Sequence, residues 1–204
     1  MKFFSILLIA ILTFSCAKES IDIESWIQSN KTEKILNLSK KELGTLPPTI
    51  QNLESVEELT LQYNSLTSLP KEMGGLKNLR ILNVFGNPIG ELPEEFKNLK
   101  KLEVLLLGRT EIQTVPRFLP ELTALKTLAL DETKLMLTDD DVEILSKIPN
   151  LKILDITLLR EFKVLPKNIG KLKHLKGIYM QKIPLEKEDV RRLRDELPGV
   201  KVKL

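Results

Sequence analysis

The sequence predicts an α/β repeat solenoid: an arc of about seven repeats over residues 33–204, with a parallel β-sheet on the concave face and a mixed turn and helical convex side. The first observation is a fixed period, because an apolar residue recurs every 23 residues at Val56, Leu79, Leu102 and Leu125. The second is that each of these residues opens the same pattern. In the second repeat the pattern reads Val56-x-x-Leu59-x-Leu61-x-x-Asn64-x-Leu66 and continues as Leu69-Pro70-x-x-Met73-x-x-Leu76. Self-similarity at a period of about 20 to 50 residues is typical of stacked repeats.

Each copy divides into a strand and a return segment. The Leu-x-Leu stretch has the period of a β-strand, so its leucines point into the core and the residues between them point outward. The later apolar positions lie three apart and form a return segment that closes the core. A weaker first copy is centred on Leu36-x-Leu38, and later copies start at Leu151 and Leu175. Because no single repeat buries its apolar face alone, neighbouring repeats must stack.

The fifth copy is longer than the others and predicts a true α-helix in its return segment. Thr138 followed by Asp141 has the form of a capping signal, and the helix is expected to end at Pro149. The acidic triplet 139–141 suggests a calcium site. However, acids in a first helical turn interact favourably with the helix dipole, and no glycine-containing loop with a distant glutamate follows. We therefore expect no bound metal.

Both ends of the stack need a cap, because an open terminal repeat would expose core leucines. At the N-terminus, residues 17–32 are expected to form a short cap helix with its apolar side at Ile21, Ile23, Trp26 and Ile27. Trp26 is interpreted as a cap residue rather than a binding anchor. At the C-terminus, a helix ending at Pro198-Gly199 and then a closing strand are expected. The apolar side of that helix is Val190, Leu193 and Leu197, and that of the strand is Val200, Val202 and Leu204.

The repeat pattern resembles that of the leucine-rich-repeat family, and its Leu-Pro-x-x-φ-x-x-Leu half is similar to the adaptor-type repeats of signalling scaffolds. The resemblance implies a parallel sheet on the concave side and a role in protein binding. In this family an asparagine side chain hydrogen-bonds the backbone of the turn into the next repeat, a position that Asn64 and Asn87 occupy here. Thr110 and Thr133 can replace that bond only in part. The residues at this position in the remaining repeats cannot make it: Lys41, Leu159 and Ile183.

The first sixteen residues are interpreted as an export signal. Lys2 precedes an apolar run from Phe3 to Phe14, which as a helix of about 18 Å is too short for the roughly 30 Å hydrocarbon core of a membrane. Ser15-Cys16 resembles a bacterial lipoprotein cleavage box of the looser kind found in spirochaetes, and this resemblance implies that Cys16 is lipidated. The alternative is an ordinary secretory signal followed by an incidental core cysteine. Under the first interpretation the chain is anchored in the bacterial cell envelope, at the outer membrane, the cell surface or the periplasmic side.

The residues that carry catalysis are scarce. The chain has one histidine, His174, which is expected to lie in a solvated turn, and one cysteine, which is assigned to processing. No glycine-rich phosphate loop is present, and Gly74-Gly75 falls in a repeat turn. The net charge of +3 and the lack of a basic and aromatic pattern argue against nucleic-acid binding. We expect no enzymatic activity and no cofactor.

The outward positions of the strands predict a binding face. Apolar residues are not needed there, yet Ile81, Phe85, Val104 and Leu106 fall on adjacent strands, at a spacing of about 4.8 Å. Tyr63 and Arg109 flank them, and both residue types are enriched in binding hot spots. Two interpretations remain open: these residues bind a ligand, or they stabilise the sheet through cross-strand pairs.

These observations together predict a non-enzymatic, exported lipoprotein that recognises a protein ligand through its concave face. A more specific version of this hypothesis is that the protein is a surface adhesin or a host-contact protein. The alternative is a periplasmic structural or assembly scaffold of the cell envelope.

Overall fold

The computed structural model describes residues 21–204 and contains one parallel sheet of eight strands in chain order. The strands are β1 (Ile35–Asn37), β2 (Glu58–Thr60), β3 (Ile81–Asn83), β4 (Val104–Leu106), β5 (Thr127–Ala129), β6 (Ile153–Asp155), β7 (Gly177–Tyr179) and β8 (Lys201–Lys203). Seven strands belong to the repeats, and β8 closes the sheet. The predicted solenoid is confirmed.

The register between strands matches the register of the repeats. Leu59 pairs with Leu82, and Leu82 pairs with Leu105. The central residues of β1 to β7 are all buried, and they are Leu36, Leu59, Leu82, Leu105, Leu128, Leu154 and Ile178. The strand residues on either side point to the concave face, because side chains alternate along a strand. The predicted outward positions of the strand residues are therefore confirmed.

The convex side consists of short 3₁₀ helices and one α-helix. The 3₁₀ helices are Pro48–Asn52, Lys71–Gly75, Glu94–Asn98, Leu119–Glu121 and Ile169–His174. Each is only one or two turns long, as is usual for this helix type. Met73 and Phe96 are fully buried within two of them and fill the core from the convex side.

The longer fifth repeat contains α2 (Asp139–Ser146), as predicted, although the helix ends at Ser146 rather than at Pro149. Its capping box is complete, because the Thr138 side chain accepts a hydrogen bond from the Asp141 N–H and the Asp141 side chain accepts one from the Thr138 N–H. The Asp141 carboxylate is 3% exposed and also accepts the Val115 N–H at 2.8 Å. The capping residue thus attaches the helix to the repeat before it.

The asparagine ladder is incomplete, as predicted, but its direction differs from the prediction. The Asn87 side chain accepts the Leu66 N–H at 3.2 Å and donates to the Leu61 carbonyl at 2.9 Å, so its bonds reach back to the preceding repeat rather than forward. Thr110 donates only to the Leu107 carbonyl of its own repeat, at 2.7 Å. The hydroxyl is too short to span two repeats, so threonine supports the turn without connecting neighbours.

The N-terminal end is covered by α1 (Ile23–Ser29). Asp22 caps this helix by accepting the Ser25 N–H, and Ile27 is buried at 1% exposure. Trp26 is half-buried and packs against the core, which fits a cap residue rather than a binding anchor. Cys16 and the first four residues of the predicted cap lie outside the described residues. Within residues 21–204, no helix combines the length and apolarity that a membrane crossing requires.

The C-terminal end is covered by α3 (Lys187–Glu196) and β8. Leu193 and Leu197 are buried, whereas Val200 and Val202 are partly buried against the core. The predicted inward position of Leu204 is wrong, since this side chain is 52% exposed. The reason is that β8 ends at Lys203 and no further strand of the described chain follows it.

Candidate functional site

The predicted binding residues lie together on the concave face at strands β3 and β4. We call Tyr63, Ile81, Phe85, Val104, Leu106 and Arg109 the concave patch. Ile81 and Val104 are direct register partners, and Leu106 lies opposite Asn83. Phe85 follows β3, and Ile81, Phe85, Val104 and Leu106 are all half-buried. The structure thus places close together in space residues that the sequence analysis had only assigned to equivalent positions of neighbouring repeats.

The centre of the concave patch is an aromatic pair. The rings of Tyr63 and Phe85 lie 5.4 Å apart at an angle of 74°, an edge-to-face arrangement. Gly86 leaves room for it, because a Cβ there would lie 2.8 Å from Tyr63 Cδ1. Tyr63 nevertheless keeps 44% of its surface exposed. The pair therefore presents a partly exposed aromatic surface that is supported by packing within the chain.

Tyr63 and Arg109 occupy equivalent positions in their repeats, in a turn just after the strand. We call this set the turn column, and its members are Lys40, Tyr63, Gly86, Arg109, Glu132, Leu158 and Lys182. Every member has a positive φ, although only one is glycine. For other residues this conformation costs roughly 1–2 kcal/mol, so the surrounding repeat must impose it. Leu158 shares it, so the turn of the sixth repeat has the same backbone conformation at this position.

Two cations flank the aromatic pair. The Arg109 guanidinium lies 5.7 Å from the centre of the Phe85 ring, and Lys40 Nζ lies 5.5 Å from the centre of the Tyr63 ring. Arg109 Nε also donates to Glu132 Oε2 at 2.9 Å, and this bond raises the pKa of Arg109. The positions are those of cation–π contacts, which hold the rings and the charges in fixed relative places.

A carboxylate borders the concave patch on the other side. Asp131 follows β5 in the column that contains Phe85 and Gly108. Burial, followed by the charge of Asp155, raises the pKa of Asp131 to about 6. The patch is therefore apolar in the middle and anionic on its C-terminal side.

Sequence reasoning missed the residues that frame the patch. Lys40 and Gly86 belong to the turn column, which was not followed as a column of its own. The signal was available for Asp131, because the repeat period aligns it with Phe85 through Gly108. It was missed because the prediction started from apolar side chains and added only the flanking tyrosine and arginine, so carboxylates were left out. Lys203 Nζ lies 4.6 Å from the centre of the Tyr179 ring at the C-terminal end of the sheet, away from the concave patch.

Other candidate sites have structural roles. Asp139 accepts the Lys167 N–H at 2.7 Å, and Asp141 is occupied by the cap and by Val115, so two members of the acidic triplet connect repeats. No group of three His, Cys, Asp or Glu side chains within residues 21–204 is arranged to hold a metal ion. His174 is exposed at the end of a 3₁₀ helix, where its ring lies 3.3 Å from the Lys171 carbonyl.

Three solved structures are similar to this chain. A leucine-rich-repeat protein of Leptospira interrogans is 25% identical with a TM-score of 0.50, over 80% of this chain and 52% of that one. The leucine-rich-repeat domain of APL1B is 18% identical with a TM-score of 0.57, over 78% of this chain and 44% of that one. The leucine-rich-repeat domain of the type III effector XopL is 22% identical with a TM-score of 0.69, over 85% of this chain and 69% of that one. This chain thus spans about half the length of the first two.

No curated protein matches the sequence. A family model described as a leucine-rich repeat region matches residues 9–157, which is most of the chain. Domains of this family generally serve as scaffolds that bind protein partners. The match covers the repeats that form β1 to β6 and the whole concave patch. The chain belongs to the leucine-rich-repeat family.

Proposed function

We propose that this chain is a non-enzymatic, exported lipoprotein that recognises a protein ligand through the concave patch. The observation that carries the proposal is the aromatic pair, in which Tyr63 stays 44% exposed while its ring is held against Phe85. Ordered aromatic and arginine side chains are the residues that most often dominate protein interfaces. Pre-ordering also reduces the entropy lost on binding.

The competing interpretation, that these residues only stabilise the sheet, applies best to Ile81 and Val104. These two are register partners, and β-branched cross-strand pairs are a common source of sheet stability. Tyr63 lies in the turn column and leaves much of its ring in solvent. Its exposed ring surface adds nothing to sheet stability, which favours a role in binding.

The test compares full-length protein with the double variant Phe85→Ala/Leu106→Ala in pull-downs from envelope and host-cell extracts, followed by titration of the captured protein. The expected loss is about 2 kcal/mol or more, roughly thirtyfold in Kd. The convex-side variant Glu94→Ala/Lys97→Ala is the matched control and should bind normally, because both residues lie in a return-segment helix. Loss of binding in the convex variant with normal binding in the concave variant would contradict the proposal.

In this proposal Cys16 carries the lipid anchor, supported by the apolar run and Ser15 that precede it. The measurement is labelling of cells with a fatty-acid analogue, in wild type and in Cys16→Ala. The variant should lose the label. Equal labelling of both proteins would show that Cys16 is not lipidated. More than one acyl chain, at about 0.8 kcal/mol per buried methylene, would hold the protein firmly on a membrane.

The side of the membrane separates a surface adhesin or host-contact protein from a periplasmic scaffold. Protease added to intact cells should degrade the protein if it lies on the surface. Protection until the outer membrane is permeabilised would favour the periplasmic scaffold. In either place the same concave patch would bind the ligand.

A further inference from the structure

The side chains of Phe85, in the concave patch, and Asp131 both lie over Gly108. A Cβ on Gly108 would lie 2.4 Å from Asp131 Oδ1 and 2.7 Å from Phe85 Cδ2. The side chains on both sides therefore fold over the same glycine. A ligand that covers the Phe85 ring at this point must also cover the Asp131 carboxylate.

Asp131 forms no salt bridge with a cation of residues 21–204. Asp155 likewise forms none there, and burial and the charge of Asp155 raise the pKa of Asp131 more than the Arg109 guanidinium lowers it. Arg109 is already bonded to Glu132. Asp155 Oδ1 accepts the Thr157 N–H at 3.0 Å, so this carboxylate is held in place on β6. The anionic side of the patch thus consists of two carboxylates, neither of which has a salt-bridge partner among the described residues.

The energetics of docking restrict the ligand. Covering a carboxylate that has no partner is costly, because the lost hydration is not replaced. A neutral or acidic ligand would bear that cost at Asp131, whereas a lysine or arginine would offset it. Ala129 lies between Leu106 and Asp155 in register, so only β5 separates the apolar part of the patch from the Asp155 carboxylate.

We propose that the concave patch docks a polypeptide segment in which an apolar side chain is followed closely by a lysine or arginine. The apolar side chain covers Phe85 and Leu106, and the cation enters between Asp131 and Asp155. This inference rests on the proposed function, since it specifies the chemistry of the ligand for the same face.

The pH dependence of binding has opposite signs for a cationic and a neutral ligand. The groups that face Asp131 are Asp155 from β6 and Glu132 and Arg109 from the turn column. A cationic ligand requires the ionised carboxylate, so its affinity falls as pH drops through about 6. A neutral ligand docks best on the protonated acid, and its affinity rises over the same range.

The experiment selects a phage-displayed library of random peptides on the full-length protein in detergent at pH 7.5, and then titrates synthetic versions of the selected peptides. We expect an apolar residue beside lysine or arginine, and at least tenfold weaker binding when that residue is replaced by citrulline or norleucine. Asp131→Asn should weaken binding about tenfold, and the wild type should lose a similar factor at pH 5. The control Glu94→Gln removes the same charge from the convex side and should bind normally.

The outcomes separate this inference from the proposed function. Peptides that depend on Phe85 and Leu106 but lack a cation, or that bind more tightly at pH 5, would overturn the inference and leave the concave ligand site intact. Peptides that bind equally to the Phe85→Ala/Leu106→Ala variant would overturn both. Failure to select any peptide from the library would also count against both.

Discussion

At the residue scale, neighbouring side chains on one strand have opposite roles. Leu82 is fully buried in the core, whereas Ile81 beside it is half-buried on the concave face. The difference follows from the alternation of side chains along β3. Because Leu82 and Ile81 are similar in size, substituting each of them in turn tests the register of β3.

We predict that Leu82→Ala lowers the free energy of unfolding by about 2–5 kcal/mol, because it leaves a cavity in a close-packed core. Ile81→Ala is the matched control and should cost clearly less, since an outward side chain leaves no enclosed cavity. Thermal or denaturant unfolding of both variants measures the difference. An equal loss of stability in the two variants would show that the register of β3 is wrong.

The second prediction at this scale concerns pH. The pKa of Asp131 is raised in the folded protein from 3.8 to about 6, so the folded state holds this proton more tightly than the unfolded state. Its carboxylate therefore destabilises the fold above about pH 6, and that effect disappears as pH falls toward about 4. Asp131→Asn should raise the Tm at pH 7.5 and leave it nearly unchanged at pH 4.

The control is to compare the Tm of Asp131→Asn with the Tm of the wild type at each pH. All other carboxylates titrate in both proteins, so their effects are the same in each. Glu57, Glu103 and Glu143 have lowered pKa values through their lysine and arginine partners, and their effects cancel in the difference. A Tm difference that is the same at both pH values would mean that Asp131 is not perturbed by folding.

At the scale of single elements, α2 departs from the neighbouring return segments. Its repeat is longer, and its N-terminus is attached by the buried carboxylate of Asp141 to Thr138 and to the Val115 N–H. The 3₁₀ helices before it have no side-chain cap. Asp141 is therefore a connection between repeats as well as a cap.

We predict that Thr138→Ala costs about 1 kcal/mol, the usual value of an N-cap. Asp141→Ala should cost more, because it also leaves the Val115 N–H without an acceptor, at roughly 1–3 kcal/mol for a buried donor. Asp140→Ala is the control: Asp140 is exposed and makes no side-chain hydrogen bond in the described part of the chain, so only a dipole effect of about 0.3–1 kcal/mol is lost. Chemical denaturation should show the largest loss of unfolding free energy for Asp141→Ala. An equal loss for Asp141→Ala and Asp140→Ala would show that Asp141 does not connect the two repeats.

At the scale of the whole molecule, stability depends on contacts between neighbouring repeats. Within residues 21–204, each strand pairs only with the strands before and after it, and β1 and β8 have one neighbour each. The caps are small, since α1 buries only Ile27 and α3 only Leu193. In such a stack, stability is close to a sum of repeat and interface contributions.

We predict a gradient of amide hydrogen exchange along the solenoid, with β3 to β5 slowest and β1 and β8 fastest. The terminal strands open without breaking the interior interfaces, so their opening free energy is lower. Exchange measured by mass spectrometry on peptides that span each strand tests this. Uniform protection from β1 to β8 would mean that the solenoid opens only as one cooperative unit.

The sequence by itself determined the period, the strand register, the buried leucines, α2 and its capping box. These features depend on the alternation of neighbouring side chains and on a pattern that recurs in each repeat. They can therefore be predicted from the sequence without knowledge of distant contacts. Tertiary structure alone decided the direction of the Asn87 bonds, the exposure of Leu204 and the meeting of Phe85 with Asp131 over Gly108. Each of these depends on which neighbour lies beside a residue in space and on how much room that neighbour leaves, and a pattern of residue types does not contain that information.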